Sequence, residues 1–478
     1  MRAAAILVVF GLSLWVWTRR PVLLLFLWIA TAPIIENIVA RPNISPLFRH
    51  RDIVGFSYNN VPGFRIWELF TVDRLVLLLC LAAVYFRHHR QHVAAPKLPS
   101  PRSLRFRTLY AAFATLIFVS ALHATNVLHA LNRTCDTVIL CYVAYLIGFM
   151  LVSDDRQQRS FQSACIFQGL LLSMIGIIEH FKFAPDSTYR ISGPFPFWED
   201  LGMAVAVALL MLLGRIEEGG HKKHASLAWC GVGLMAAVVY LTQTRTVMLS
   251  LFMGFSVSLV VGRKSIAPVI QRVFWASLAV VAAVMIFAPQ LLTANDMYQR
   301  RLSNLDTFDW REGPYIAAGR MMSAHPLLGV GLRSSRDELS NYLRTSEAEH
   351  TVFGQSSLHS TYLVVGAEAG VPTLIVYVLV LASMWRVLAD YAVQAPSRND
   401  RVWGLAVFGV FILLITSGFL FDTFFEPTVC NKVVFVAFGI IHARWIRLQG
   451  QAEPQASQGE VSSDLADLQE GRYGCSTL

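Results

Sequence analysis

Apolar runs of about 20 residues, each long enough to cross a hydrocarbon core as a helix, recur along the chain between short polar connectors. They centre near Trp28, Leu77, Leu116, Ala144, Leu171, Val207, Ala236, Phe255, Val281, Val376, Leu413 and Phe438, which predicts twelve spans. A shorter run from Ala3 to Trp17 ends in Arg19-Arg20-Pro21. It reads either as a thirteenth span or as a helix lying in the interface, and it lacks the positive start and small-residue cleavage site of a secretory signal. The expected fold is all-α: a polytopic membrane helix bundle of about 12 spans, or 13 with the first run. The pattern divides the chain into an N-terminal transmembrane bundle (1–292), a long extracytoplasmic loop with short amphipathic helices (293–358), C-terminal transmembrane helices (359–448) and a polar cytoplasmic tail expected to be disordered (449–478).

Basic residues set the expected orientation, because short loops rich in Lys and Arg stay in the cytoplasm. Arg87 to Arg107, Arg156 and Arg159, Arg215 to Lys223, Arg263 to Arg272, and Arg398 with Arg401 fall in every second connection. The alternate connections, expected outside, are 41–65, 125–134, 182–198, the tight turn around Arg245, 293–358 and 421–427. Two of these carry arginines against the bias: Arg41, Arg49, Arg51 and Arg65 in the first, and Arg300, Arg301, Arg311, Arg320, Arg333, Arg336 and Arg344 in the longest. That placement suggests an anionic ligand, although long loops also cross regardless of their charge.

Composition agrees with the pattern: 55% of the 478 residues are hydrophobic, 15% are charged, and mean hydropathy is +0.51. A water-soluble domain of this size is excluded. The net charge of +9 sits largely on membrane-flanking loops, where it serves topology and anionic headgroups, and no nucleic-acid motif accompanies it. The seven cysteines are scattered without a Cys-x-x-Cys pair, so neither a disulfide framework nor a zinc site is implied. His88, His89 and His92 lack acidic or thiol neighbours and read as headgroup contacts.

Within the long loop, "REGPYIAAGRMMSAHP" predicts a helix with Pro314 at its first position and a stop forced by Pro326. Gly329-Val330-Gly331 reads as a backbone turn, and Ser335-Arg336-Asp337-Glu338 as a capping box opening a second short helix. The chain then enters the membrane at His359. On a straight helix Glu368, nine positions on, lies about half a turn out of phase with it. Gly366 and Gly370 allow a close approach, and Pro372 frees the carbonyl of Glu368. An ionisable group such as Glu368 inside a span is usually functional, with capping or packing as the alternative role.

"RMMSAHPLLGVGL" followed by "LHSTYLVVGAEAGVPTLIVYV" resembles the signature of the O-antigen ligase and O-antigen polymerase superfamily of bacterial membrane glycosyltransferases. Arg311 matches the arginine that leads the family's amphipathic helix. His325 to Gly331 match its His-Pro-Leu-Leu-Gly-x-Gly, and His359, Leu363, Glu368 and Gly370 match the remainder. Ser360 stands where the family has asparagine and Tyr315 where it favours tryptophan. Upstream, "QTRTVMLSL" with Arg245 is similar to the family's Ser-Arg turn, and "YRISGPFPFWEDLG" with Arg190 to its Arg-x-x-Gly loop, though Trp198-Glu199-Asp200 replaces the expected asparagine region.

The resemblance implies transfer of a glycan from a polyprenyl diphosphate to an acceptor hydroxyl, with inversion and without metal or any other cofactor. The site would face the periplasm from the bacterial inner membrane. Its partners would be the lipid bilayer, the lipid-linked oligosaccharide donor, and a glycan or lipid A core acceptor. His359 and Arg245 are the expected catalytic residues, and Arg190, Arg245, Arg311 and Glu368 the expected substrate-binding ones. Guanidinium groups suit the diphosphate charge, and an imidazole suits removal of the acceptor proton. Polymerase and ligase share this donor chemistry and differ in acceptor. A polysaccharide or lipid-linked oligosaccharide transporter is the alternative, and it calls for internal repeats or paired broken helices that the sequence does not display.

Overall fold

The computed structural model describes residues 21–34, 72–91, 101–152, 154–183, 190–195, 198–219, 225–263, 271, 306–343, 358–422 and 430–449. These residues are helical with short turns, and no strand occurs among them. In chain order the helices are α1 (Pro21–Ile34), α2 (Val72–Gln91), α3 (Pro101–Leu122), α4 (Val127–Thr134), α5 (Leu140–Leu151), α6 (Asp155–Phe183), α7 (Trp198–Glu217), α8 (Ala225–Leu241) and α9 (Arg245–Val261). They continue with α10 (Asp306–Ala324), α11 (Ser335–Tyr342), α12 (Thr361–Ala369), α13 (Val371–Gln394), α14 (Arg398–Leu420) and α15 (430–449).

Every predicted span centre except Val281 falls within one of these helices. Val281 lies outside the described residues, as do the 3–17 run, the 41–65 connection, residues 344–357 and the tail. Five helical stretches among the described residues are long and apolar enough to cross a membrane: Arg105–Leu122, Val127–Met150, Asp155–Lys182, Val371–Gln394 and Arg398–Phe419.

Three expectations need correction. The 125–134 connection is not a loop: Asn126 caps α4, its side chain accepting from the His129 N–H at 3.1 Å, and α4 runs through a π segment (Cys135–Ile139) into α5. Pro314 does not open its helix, because α10 begins at Asp306 and holds the proline in its interior. The cap of α11 is Ser334, whose side chain makes no capping bond, and Ser335 turns its hydroxyl elsewhere, so the capping box does not form. The stop at Pro326 holds, with α10 ending at Ala324.

Close packing follows the small residues. A Cβ at Gly254 of α9 would lie 2.5 Å from the carbonyl oxygen of Gly409 in α14, so these two helices meet backbone to backbone. Four residues on, Ser258 Oγ donates to the Leu405 carbonyl at 3.1 Å, which fixes them as antiparallel. Loops separated by the basic-residue alternation are also separated in space. At one end Arg398 pairs with Glu217, Arg215 with Glu218 at 2.8 Å, and Arg444 with Asp155 at 2.7 Å and Asp400 at 2.9 Å. At the other, Thr125 meets Ser334 at 3.0 Å, Arg190 meets the 242–244 turn, and Thr361 meets Asp422 at 3.3 Å. One end of the bundle is therefore rich in ion pairs and the other is built of polar turns, with the Arg74–Asp136 pair (2.7 Å) on the side of the 125–134 segment, and the candidate site residues lie at the second.

Candidate functional site

The site begins with a buried acid in α6. Glu179 is fully enclosed and accepts the backbone N–H groups of Ser192 (3.2 Å) and Gly193 (2.5 Å), so its carboxylate holds the 190–195 loop against the helix. That loop delivers Arg190. The guanidinium donates from Nε to the Thr242 carbonyl at 3.0 Å, and from one Nη to the Gln243 carbonyl and the Thr244 hydroxyl, both at 3.2 Å. Its carbon also sits 3.8 Å from the centre of the Trp198 ring, which packs against its face. Trp198, noted in the sequence only as a departure from the family pattern, is thus half of a clamp on Arg190.

The clamped turn carries Arg245 as the first residue of α9. Gln243 holds a positive φ of 52°, and its side-chain oxygen is buried with no hydrogen-bond partner among the described residues. Thr244 is the N-cap but does not cap with its side chain. Its hydroxyl donates back to the Thr242 carbonyl and accepts from Arg190. Arg245 is exposed and makes no side-chain bond among the described residues. The geometry offers an available guanidinium beside a helix start without a side-chain cap, and both favour an anion.

His359 lies beside the C-terminal end of α14. Its backbone φ is +48°, in the left-handed region that non-glycine residues seldom adopt. The residues after it are tied to α14: Ser360 Oγ donates to the Gly418 carbonyl (3.4 Å), Thr361 Oγ1 to the Phe421 carbonyl and to Asp422 Oδ1 (both 3.3 Å), and Tyr362 stacks on Phe419 with ring centres 4.3 Å apart. The α9–α14 register gives the height of Arg245 relative to this cluster. Position 254 is level with 409 and 258 with 405, so nine residues back along α9 bring Arg245 level with Gly418, the residue that Ser360 holds. Arg190, Arg245 and His359 therefore share one end of the bundle and one height.

Glu368 is not on that surface. The run from His359 does not form one straight helix: α12 stops at Ala369, and Gly370, at φ 87°, breaks it before α13 begins with Pro372 in its first turn. The 326–331 loop packs onto this break. Val330 N–H donates to the Ala367 carbonyl (2.9 Å), Gly331 N–H and Ser120 Oγ to the Glu368 carbonyl (3.0 and 2.8 Å), and Val371 N–H to the Pro326 carbonyl (2.9 Å). Gly329, also at positive φ, has no room for a Cβ beside the Glu368 carbonyl, and Gly370 none beside that of Leu327. The carboxylate itself is 3% exposed and accepts Arg333 N–H (2.8 Å) and Ser335 Oγ (2.5 Å). Gly329, Gly370 and the acid of the motif thus have a packing reason.

Arg311 lies within α10, but its side chain is outside the described atoms. Of the other loop arginines, Arg320 is used locally, donating to the Tyr342 carbonyl at 2.7 Å, while His325 meets the Tyr342 hydroxyl at 2.9 Å. Sequence reasoning missed Glu179 and Asp422. The available signal for Glu179 was the one that marked Glu368, an acid inside an apolar run. Asp422 follows a span and has no local pattern to expose it.

The comparison with curated proteins finds no match. Residues 230–378 match the family model described as O-antigen ligase, a stretch that runs from α8 into α13 and includes Arg245, Arg311, His359 and Glu368 but not Arg190, Glu179 or Asp422. This domain supports placing the chain, a multi-pass membrane protein, in the O-antigen ligase superfamily.

Proposed function

We propose that the protein transfers a glycan from a polyprenyl diphosphate to an acceptor hydroxyl at the periplasmic face of the bacterial inner membrane, with inversion and without a metal. The acceptor hydroxyl attacks the anomeric carbon opposite the diphosphate. As the new C–O bond forms, the bond to the diphosphate oxygen breaks and the hydroxyl proton passes to the His359 imidazole. The diphosphate leaves with its charge held by the Arg245 guanidinium and the N–H groups at the start of α9. Arg190 acts one step back: with Nε and one Nη engaged by the 242–244 turn, it positions Arg245. Arg311 supplies further positive charge from the α10 side, and Glu368 holds the loop that roofs α12. In this reading 293–358 acts as the periplasmic loop over the bundle.

The observation that carries the proposal is the Arg190 clamp, which leaves Arg245 exposed at the same height as the segment held to Gly418 beside His359. Polymerase and ligase differ in acceptor, so the test supplies both. Purified protein in detergent, with a chelator present, receives a polyprenyl-diphosphate oligosaccharide together with either a second lipid-linked repeat or a lipid A core oligosaccharide. Extension of one acceptor is expected, and that acceptor identifies the activity. If neither acceptor is extended while the donor is moved across sealed vesicles, the transferase reading fails in favour of transport.

A further inference from the structure

At the ion-paired end, remote from the candidate site, α1 and α6 border an open groove of about 850 Å³. Leu23, Leu27 and Phe167, exposed by 43, 44 and 54%, form part of its apolar wall, and Arg156, Arg159 and Arg215 stand at its mouth. Arg156, Arg159, Ser163 and Phe167 recur at steps of three and four, so one stripe of α6 changes from cationic to apolar as it leaves that end. The neighbouring charges are mostly spent on one another: Arg215 pairs with Glu218, and the lining acid Asp155 with Arg444. Arg156 and Arg159 are exposed and make no side-chain hydrogen bond or ion pair among the described residues.

Two guanidinium groups with no hydrogen bond or ion pair among the described residues, of which Arg159 also lies within electrostatic reach of Glu218, stand above an apolar wall and match an amphipathic anion: the phosphate satisfies the donors, and a hydrocarbon chain covers Leu23, Leu27 and Phe167. Inorganic phosphate would leave the wall exposed, and a neutral headgroup would bring an ammonium towards the guanidinium pair. We propose that this groove binds an anionic phospholipid, its phosphate on Arg156 and Arg159 and an acyl chain along α1 and α6. The site is independent of the transfer reaction.

The full-length protein, stripped of lipid in detergent, is titrated with phosphatidylglycerol or phosphatidylcholine, and retained lipid is counted by native mass spectrometry. Phosphatidylglycerol should be retained at roughly tenfold lower concentration, because its headgroup is a net anion near two arginines, whereas the phosphate of phosphatidylcholine is offset by its own ammonium. The preference should vanish in Arg156→Gln/Arg159→Gln and weaken in Ser163→Trp, which fills the groove without altering charge. It should persist in Arg263→Gln/Arg386→Gln, which removes two exposed charges elsewhere. Equal retention of the two lipids by the wild type would overturn the proposal, as would equal losses in both arginine pairs or displacement of phosphatidylglycerol by equimolar inorganic phosphate. The wild-type comparison and the phosphate competition decide the matter even if a variant fails to fold.

Discussion

At His359 the left-handed backbone separates function from stability. Holding a histidine at φ +48° costs about 1 kcal/mol relative to glycine, so in His359→Gly the release of backbone strain should offset part of the stability lost with the side chain. Transfer should nevertheless fall by about 10²-fold to 10⁴-fold, because the proton acceptor is gone. A His359→Gly protein that transfers as well as wild type would remove the imidazole from the mechanism. The two arginines should also divide. Arg245 is exposed, so Arg245→Ala should lose transfer at an unchanged melting temperature. Arg190 holds the turn, so Arg190→Ala should lose both. Arg190→Lys should rescue little, since an ammonium cannot bond two carbonyls and a hydroxyl while stacked on Trp198. At Glu368, replacement by alanine strands the Arg333 N–H and the Ser335 hydroxyl and should cost about 1–3 kcal/mol, with glutamine costing less because its carbonyl still accepts. Thermal denaturation in detergent reads the difference, and equal stability of wild type and Glu368→Ala would contradict the packing role.

The helix elements were the most legible part of the sequence, because a bilayer demands apolar runs of fixed length. What the runs could not convey was their interruption. The break at Gly370 depends on the 326–331 loop arriving from more than thirty residues upstream to bond the end of α12, and hydropathy carries no trace of that contact. Asn126 illustrates the converse: a cap beside a weakly apolar stretch extended a helix through what read as a loop. The motif itself was legible as a string, but the reasons for its glycines emerged only from the carbonyls that crowd Gly329 and Gly370. The same crowding makes the α9–α14 seam a test of architecture. Gly254→Leu would drive a side chain into the Gly409 backbone, so α9 must shift and carry Arg245 with it. Gly254→Leu should therefore reduce both stability and transfer, whereas Gly233→Leu, where a side chain meets open space, should change neither. The two measured side by side separate a helix displacement from a general intolerance of bulk.

Among the described connections, those around 155–159, 215–218 and 398–401 share one end, as their basic residues anticipated. The ion pairs joining Glu217, Arg398, Arg444, Asp155 and Asp400 collect loops assigned to the cytoplasm together with the end of α15. The polar turns at the opposite end collect those assigned outside. The candidate site was less legible than this. Arg190, Arg245 and His359 were named from their motifs, but Glu179, which holds the Arg190 loop, and Asp422, which bonds Thr361, act through contacts between segments distant in the chain. The central claim is that Arg245 holds the leaving diphosphate while His359 takes the acceptor proton. Steady-state transfer by Arg245→Ala and His359→Ala, with donor binding measured separately on each protein, tests it most directly. The account predicts a split: Arg245→Ala weakens donor binding and slows turnover, while His359→Ala binds donor as wild type does and loses turnover alone. Unchanged donor binding and turnover in Arg245→Ala, or a His359→Ala protein impaired only in donor binding, would contradict it.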